Sequence, residues 1–275
     1  MEEYSQKYPV WLCDIWGVVH NGVKPYIAAV AALSKHRRSG GTVILVTNSP
    51  RSSLGVRKQL AEIGVDPGCF DEVVTSGDVT RELIAAHGGG SVYHLGPERD
   101  LSIFKGLDVA RTELKDAKAI LCTGLFDDAN DTLEDYAALL RVAYVLKLPM
   151  ICANPDKIVR HGDRILYCAG SLAEIYQAMG GVVMMAGKPY QPIYDLALAE
   201  ATRICGQPVR KDHVLAIGDG PETDIRGAAN FGVDVVLVAD GVTDATAGLA
   251  AVEHEVAEAV PEARIVLTVR NLVWP

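Results

Sequence analysis

Three absences narrow the reading before any motif is considered. In a chain of 275 residues with a net charge of −9, no basic cluster is denser than His36-Arg37-Arg38. Such a surface repels nucleic acid and anionic membranes, so neither is an expected partner. The six cysteines form no C-x-x-C pair, and several lie inside apolar runs. That pattern excludes a zinc ribbon or a dithiol redox motif and predicts reduced, buried thiols. No apolar run is long enough to span a bilayer, and MEEYSQKYP is polar and acidic, without a signal-type apolar core. A cytoplasmic location is the expectation. There is also no internal repeat and no low-complexity linker; the glycines 88–90 mark a loop.

What is present is a chain that is 49% hydrophobic and 22% charged, enough for one or two packed domains. Short apolar, β-rich runs alternate with helical patterns, which predicts an α/β fold with parallel strands. The expected strands are 10–14, 42–48, 72–76, 91–96, 119–124, 149–154, 182–187, 213–219, 234–240 and 264–269. Their apolarity is continuous rather than alternating, as in strands covered on both faces.

Several of these strands end in residues suited to chemistry: Asp14, Thr47-Asn48, Thr75-Ser76 and Asp219. Ligands of open α/β sheets bind beyond the carboxyl ends of strands, so these ends point to one site. Taken singly, each is equally an ordinary cap or turn former. Taken with the turns AGKP (186–189) and GDGPETD (218–224), the set has a shared order along the chain.

In that order, Asp14 after the first strand, TNSPR after the second, then AGKP and GDGPETD, the sequence resembles the haloacid dehalogenase superfamily of aspartate-nucleophile hydrolases. Within it, the chain is similar to the NagD-like and 4-nitrophenylphosphatase-like phosphatases. The resemblance covers almost the whole chain. It implies a Rossmann-like core, residues 1–76 plus 184–275, with an α/β cap inserted at 77–183. Caps of this kind close over the site, select the leaving group, and can pair two chains, so a homodimer is admitted. ANPD (153–156) and CAGSL (168–172) resemble cap segments. Asn154 and Asp156 are therefore candidates for substrate contact, with an Asn-Pro turn and a capping aspartate as the alternative.

The resemblance also assigns roles. Asp14 is the nucleophile, forming an aspartyl-phosphate that water hydrolyses. Lys188 neutralises charge at the phosphate, unless it is an ordinary surface lysine, and Pro189 is expected in the first turn of a helix. Thr47 offers a hydroxyl, and the residues after it, Ser49 among them, offer backbone N–H groups at a helix N-terminus as a phosphate site, while Asn48 orients groups or contacts the cap. Arg51 is a looser phosphate candidate. A Mg²⁺ ion is expected on Asp14, Asp219, Asp224 and the main-chain carbonyl of Trp16. Asp224 could equally cap the helix that follows. His20 lies on the segment used as a flap and is a candidate for substrate contact or proton donation, or a loop histidine without a role.

The departure from the family pattern is Trp16. Phosphatases of the superfamily carry a second aspartate there, which protonates the leaving alcohol and then activates water. An indole N–H does neither. The expectation is a Mg²⁺-dependent phosphatase of a small phosphorylated metabolite, slow on alkyl phosphates. Two alternatives stand beside it. Haloacid dehalogenases have an aromatic residue at this position and need no metal. A binder of phosphorylated ligands would have kept the site and lost turnover.

Overall fold

The computed structural model describes residues 1–161, 164–240 and 248–274. It divides into two compact units. The first comprises Met1–Thr47, Leu54–Val74 and Lys188–Pro275; the second comprises Asn48–Ser53 and Thr75–Gly187.

The first unit is built on a six-stranded sheet. Chain order runs α1 (Glu2–Lys7), β1 (Val10–Asp14), α2 (Ile27–Arg38), β2 (Thr42–Thr47), α3 (Ser53–Ile63) and β3 (Glu72–Thr75). In the second unit follow α4 (Ser76–His87), β4 (Ser91–Leu95), β5 (Ala110–Arg111), β6 (Ala119–Cys122), α5 (Ala137–Val145) and β7 (Met150–Cys152). After β8 (Ile158–His161), β9 (Arg164–Tyr167), α6 (Ala169–Ala178) and β10 (Val183–Met185) the chain returns to the first unit. There it forms α7 (Gln191–Cys205), β11 (Val214–Gly218), α8 (Arg226–Phe231), β12 (Asp234–Val238), α9 (Leu249–Ala259) and β13 (Arg264–Val269).

The first sheet has the order β13-β12-β11-β1-β2-β3. β1 pairs in parallel with β11 on one side and β2 on the other. All five residues of β1 and of β11 are buried, which is the structural counterpart of their unbroken apolar sequences. Strand order reverses between β1 and β11, so the crevice at their carboxyl ends is a topological switch point. Beneath it, Trp11 stacks on His36 with ring centroids 3.8 Å apart, and Leu33, Leu45, Leu215 and Val236 complete a continuous core. Trp274 also packs against this core, with the Lys35 ammonium 4.8 Å from its ring.

The second unit has its own parallel sheet, ordered β10-β7-β6-β4-β5, with cores on both faces. β8 and β9 form a separate antiparallel hairpin. β5 and this hairpin were not among the expected strands. β5 is two exposed residues long, and the sequence between Ile158 and Tyr167 mixes apolar with charged residues without a clear period.

The unit boundaries differ from the expected ones for identifiable reasons. Residue 184 lies inside β10, whose residues pair with β7, so the chain leaves the second unit only after Gly187. Residues 48–53 also belong to the second unit. The Ser76 hydroxyl lies 2.8 Å from the Asn48 carbonyl oxygen, and a Cβ on Gly77 would come within 2.4 Å of the Pro50 carbonyl oxygen. Five cysteines are buried and free, as expected; Cys205, at the end of α7, is exposed. Among the described residues, no helix is long and apolar enough to cross a membrane.

Candidate active site

Asp14 is the last residue of β1, which is paired on both sides. Asp219 follows β11 directly, on the neighbouring strand. Asp224 lies in one wide helical turn, Pro221–Ile225, in which the Ile225 N–H reaches the Gly220 carbonyl at 3.1 Å. Asp224 does not cap the helix beyond; its side chain turns back instead. Its Oδ2 accepts from the Gly220 N–H at 3.1 Å, and no side chain caps α8. The result is a trio, Asp14, Asp219 and Asp224, all buried, each offering an oxygen within 4.8 Å of the others.

Lys188 is the counter-ion of this trio. It is only 3% exposed, which rules out the ordinary surface role of a lysine. Its ammonium donates to Asp14 and, at 2.7 Å, to Asp224 Oδ1. Burial opposes its charge, but the two carboxylates outweigh burial and hold its pKa well above the usual value. Pro189, joined to Lys188 by a cis bond, precedes α7 rather than entering it; Tyr190 is the cap and Pro192 occupies the first turn. The buried face of α7 carries Tyr194, whose phenol pKa is raised by burial and then by Asp224.

One ammonium cannot balance three carboxylates. Burial, helped by the Asp224 charge, lifts Asp14 to about 7 against the pull of Lys188. Burial and the charges of Asp14 and Asp224 lift Asp219 to about 9. Among the described residues, Asp219 Oδ2 is buried without a hydrogen-bond partner. An orphaned carboxylate oxygen beside two more carboxylates is the donor set of a hard divalent cation, and such a cation would bring the fully ionised group to neutrality. The main chain adjoins it too. Gly17 has φ +86°, and a Cβ there would lie 2.1 Å from Asp219 Oδ2, so only glycine lets the backbone beside Trp16 pass this carboxylate. The residues present fit a cation.

The loop after Asp14 is tightly knit. The Gly17 N–H donates to the His20 carbonyl at 2.9 Å, and the Gly22 N–H donates to His20 Nδ1 at 2.8 Å. That bond leaves Nε2 as the protonated nitrogen of a neutral ring. His20 is buried, and burial lowers its pKa. Trp16 is 39% exposed and meets the His20 ring edge-on, with centroids 5.3 Å apart.

The remaining candidates divide between the units. Thr47 closes β2 in the first. The helix expected to follow it at once begins only at Ser53. The Ser53 N–H is already bonded to both Asp78 carboxylate oxygens at 3.2 Å, so this helix start is not an open anion site. In the second unit, Asn48 Nδ2 donates to Asp156 Oδ1 at 2.8 Å, and Asn154 Oδ1 accepts from the Asp156 N–H at 3.1 Å. The Asn-Pro turn is therefore formed by Asn154 itself. Ser49 Oγ accepts from the Arg51 N–H at 3.3 Å. Arg51 is exposed; the carboxyl of buried Asp100 is pushed up by burial, against the weaker pull of Arg99, Thr123 and Arg51. Sequence reasoning missed Gly17, Tyr194 and Asp78. The first adjoins Trp16 in the opening motif and could have been read as a close approach; the other two carry no local signal.

A family model described as haloacid dehalogenase-like hydrolase matches residues 11–110, and a second, HAD-hydrolase-like, matches residues 185–263. A crystal structure of a hydrolase of the haloacid dehalogenase-like family from Brucella suis is 42% identical, covering 99% of this chain and 98% of that one, with TM-score 0.88. The chain belongs to the haloacid dehalogenase-like hydrolases. Among curated relatives, D-glycerol 3-phosphate phosphatase of Mycobacterium tuberculosis is 28% identical over 255 residues, 89% of this chain and 67% of that protein. The 5'-nucleotidase YutF of Bacillus subtilis is 27% identical over 241 residues, 86% of this chain and 89% of that protein. A crystal structure of a glycerol phosphate phosphatase from M. tuberculosis, in complex with calcium, has TM-score 0.73 at 24% identity, covering 98% of this chain and 75% of that one.

Proposed function

We propose that this hydrolase is a phosphoric monoester hydrolase acting on a small phosphorylated metabolite, with Asp14 as nucleophile. The observation that carries the reading is the buried constellation at the switch point, in which the Lys188 ammonium bonds two of three clustered carboxylates. The two curated relatives, both phosphatases by name, support the same class.

The Asp14 carboxylate attacks phosphorus, the P–O ester bond breaks, and the leaving oxygen takes the electron pair. Water then hydrolyses the aspartyl-phosphate, releasing inorganic phosphate and restoring Asp14. Lys188 holds positive charge against Asp14 throughout, because its pKa is too high for it to give up its proton. Thr47 is assigned to the phosphate by its place at the end of β2. Asp14, Asp219, Asp224 and the Trp16 carbonyl would hold the divalent cation, and all-oxygen donors suit Mg²⁺, which supplies charge neutralisation when bound. The orphaned Asp219 oxygen favours this reading over a metal-free dehalogenase. Asn48, Ser49, Asn154 and Asp156 are kept as candidates for substrate contact.

Trp16 supplies no acid, and His20, neutral and held by Gly22, is a poor substitute. General acid–base assistance is worth about 10²–10⁴ in rate, so alkyl phosphates are expected to turn over slowly. The test is phosphate release from an aryl phosphate with and without Mg²⁺. Mg²⁺-dependent release that Asp14→Asn abolishes without unfolding the protein supports the reading. Release that survives Asp14→Asn, or halide release from a haloacid without metal, overturns it.

A further inference from the structure

From Val10 to His20 every residue but Gly17 is buried, with one exception: Trp16. A large aromatic side chain left 39% exposed two residues from a buried nucleophile is the odd member of this stretch. Two residues of chain span at most about 7 Å, so the backbone that carries the indole lies beside the nucleophile that attacks phosphorus.

The ring is not free to fold away. Its benzo edge rests on Gly22, where a Cβ would lie 2.4 Å from Cη2 and 3.0 Å from Cζ3. Gly22 has φ +88°, so the turn holds a glycine under the ring. His20 meets the indole at 78°, is itself fixed by the Gly22 N–H, and a backbone bridge joins Trp16 to His20. The loop therefore presents a rigid aromatic surface. Such a surface favours a second aromatic ring, stacked with an offset or edge-on, beyond the area it covers.

A second argument reaches the same substrate from bond breaking. Trp16 has no titratable proton, and His20 spends Nδ1 on Gly22. A leaving oxygen that departs unprotonated must stabilise its own electron pair. A phenolic oxygen does so: the P–O bond breaks, the pair remains on oxygen, and the phenolate takes its proton from solvent.

We propose that Trp16 is a specificity-determining residue whose fixed indole takes the planar ring of an aryl or heteroaryl leaving group. The substrate class is thus phosphate monoesters of acidic, aromatic hydroxyl compounds. This inference rests on the reading of Asp14 as the nucleophile, but it is tested by binding as well as by turnover.

The experiment titrates the Mg²⁺-loaded protein calorimetrically with phenylphosphonate and cyclohexylphosphonate, which are similar in size, cannot be hydrolysed, and differ in planarity. The cyclohexyl group is the more hydrophobic, so simple burial would favour it. Roughly three- to tenfold tighter binding of phenylphosphonate is expected, the range of an aromatic pair. Trp16→Leu should bring the ratio close to one, and Trp16→Phe should retain most of it, with thermal unfolding confirming that both variants fold. Equal affinities in the parent protein, no binding of either compound, or an undiminished preference in Trp16→Leu overturns the proposal. If Trp16→Leu does not fold, the parent ratio and that of Trp16→Phe decide. Phosphate-release assays separate the two readings. Turnover of phenyl phosphate no better than that of an equally acidic fluoroalkyl phosphate sinks the platform alone. A phenylphosphonate preference without phosphate release from any ester sinks the phosphatase reading alone.

Discussion

At the scale of single residues, the site stores electrostatic cost. Asp219 titrates near 9 in the fold against an ordinary carboxyl near 4, so ionising it is harder in the folded state than in the unfolded one. The sign follows: its contribution is intact below about pH 4 and is lost as pH rises toward 9. Asp219→Asn should therefore stabilise the metal-free protein at pH 8 by at least about 1 kcal/mol, measured by urea unfolding. The same substitution should shrink the stabilisation that Mg²⁺ gives, since it removes a ligand. Gly17→Ala should act the other way. Its Cβ would strike Asp219 Oδ2, and its φ of +86° is strained for alanine, so a loss of more than about 1 kcal/mol is expected, with weaker Mg²⁺ binding by calorimetry. Asp14, Lys188, Asp219 and Asp224 were legible in the sequence because each ends a strand or sits in a short polar motif beside one. Tyr194 was not, because its role comes from the way α7 packs, and its sequence neighbours read as any amphipathic helix.

At the scale of elements, one aspartate serves two helix starts. Asp78 completes a capping box with Thr75 at the start of α4, and also accepts from the Ser53 N–H at the start of α3, 25 residues away. Thr75→Ala should cost about 1 kcal/mol, the ordinary value of a cap. Asp78→Ala should cost more, about 2 kcal/mol, because two helix ends lose their acceptor. Chemical denaturation of both variants checks the order. This shared cap explains what the sequence could and could not tell. The strands around the site announced themselves through continuous apolar runs ending in polar residues. The start of α3 did not, because TNSPRSSLG offers several serines as caps and the group that bonds its Ser53 N–H lies on another helix. The β8–β9 hairpin was missed for a related reason: its sequence carries no period strong enough to read.

At the scale of the whole chain, acid should act on both units. His36, fully buried in the first, is pushed down to about 4 by burial; His94 in the second is pushed to about 4 by burial and then by Arg111. Their ordinary value is near 6.5, so between about pH 6.5 and 4 the unfolded chain binds protons that the fold does not. Stability is whole above that window and falls as pH descends through it, by on the order of 3 kcal/mol for His36 alone. His36→Gln should flatten this acid limb in a series of urea midpoints. Asp14 and Asp219, both pushed up by burial, act in the opposite sense, so the increment given by Mg²⁺ should grow as pH rises from 5 to 8. Differences between metal-loaded and metal-free midpoints isolate that second effect from the histidines.

The stack of Trp11 on His36 has an optical consequence. Trp11 is wholly shielded from water, whereas Trp16 is partly open to it, so the two indoles should emit at different wavelengths. The buried emitter lies face to face with an imidazole that is neutral at neutral pH and, once protonated, becomes an electron acceptor for an excited indole. Blue-edge fluorescence should therefore dim as His36 takes up its proton. Acrylamide, reaching the exposed ring first, should quench the red edge, and an aromatic ligand resting on Trp16 should shield it. With the third indole, Trp274, replaced by phenylalanine, one emission spectrum would then follow the core and Trp16 separately, without a label.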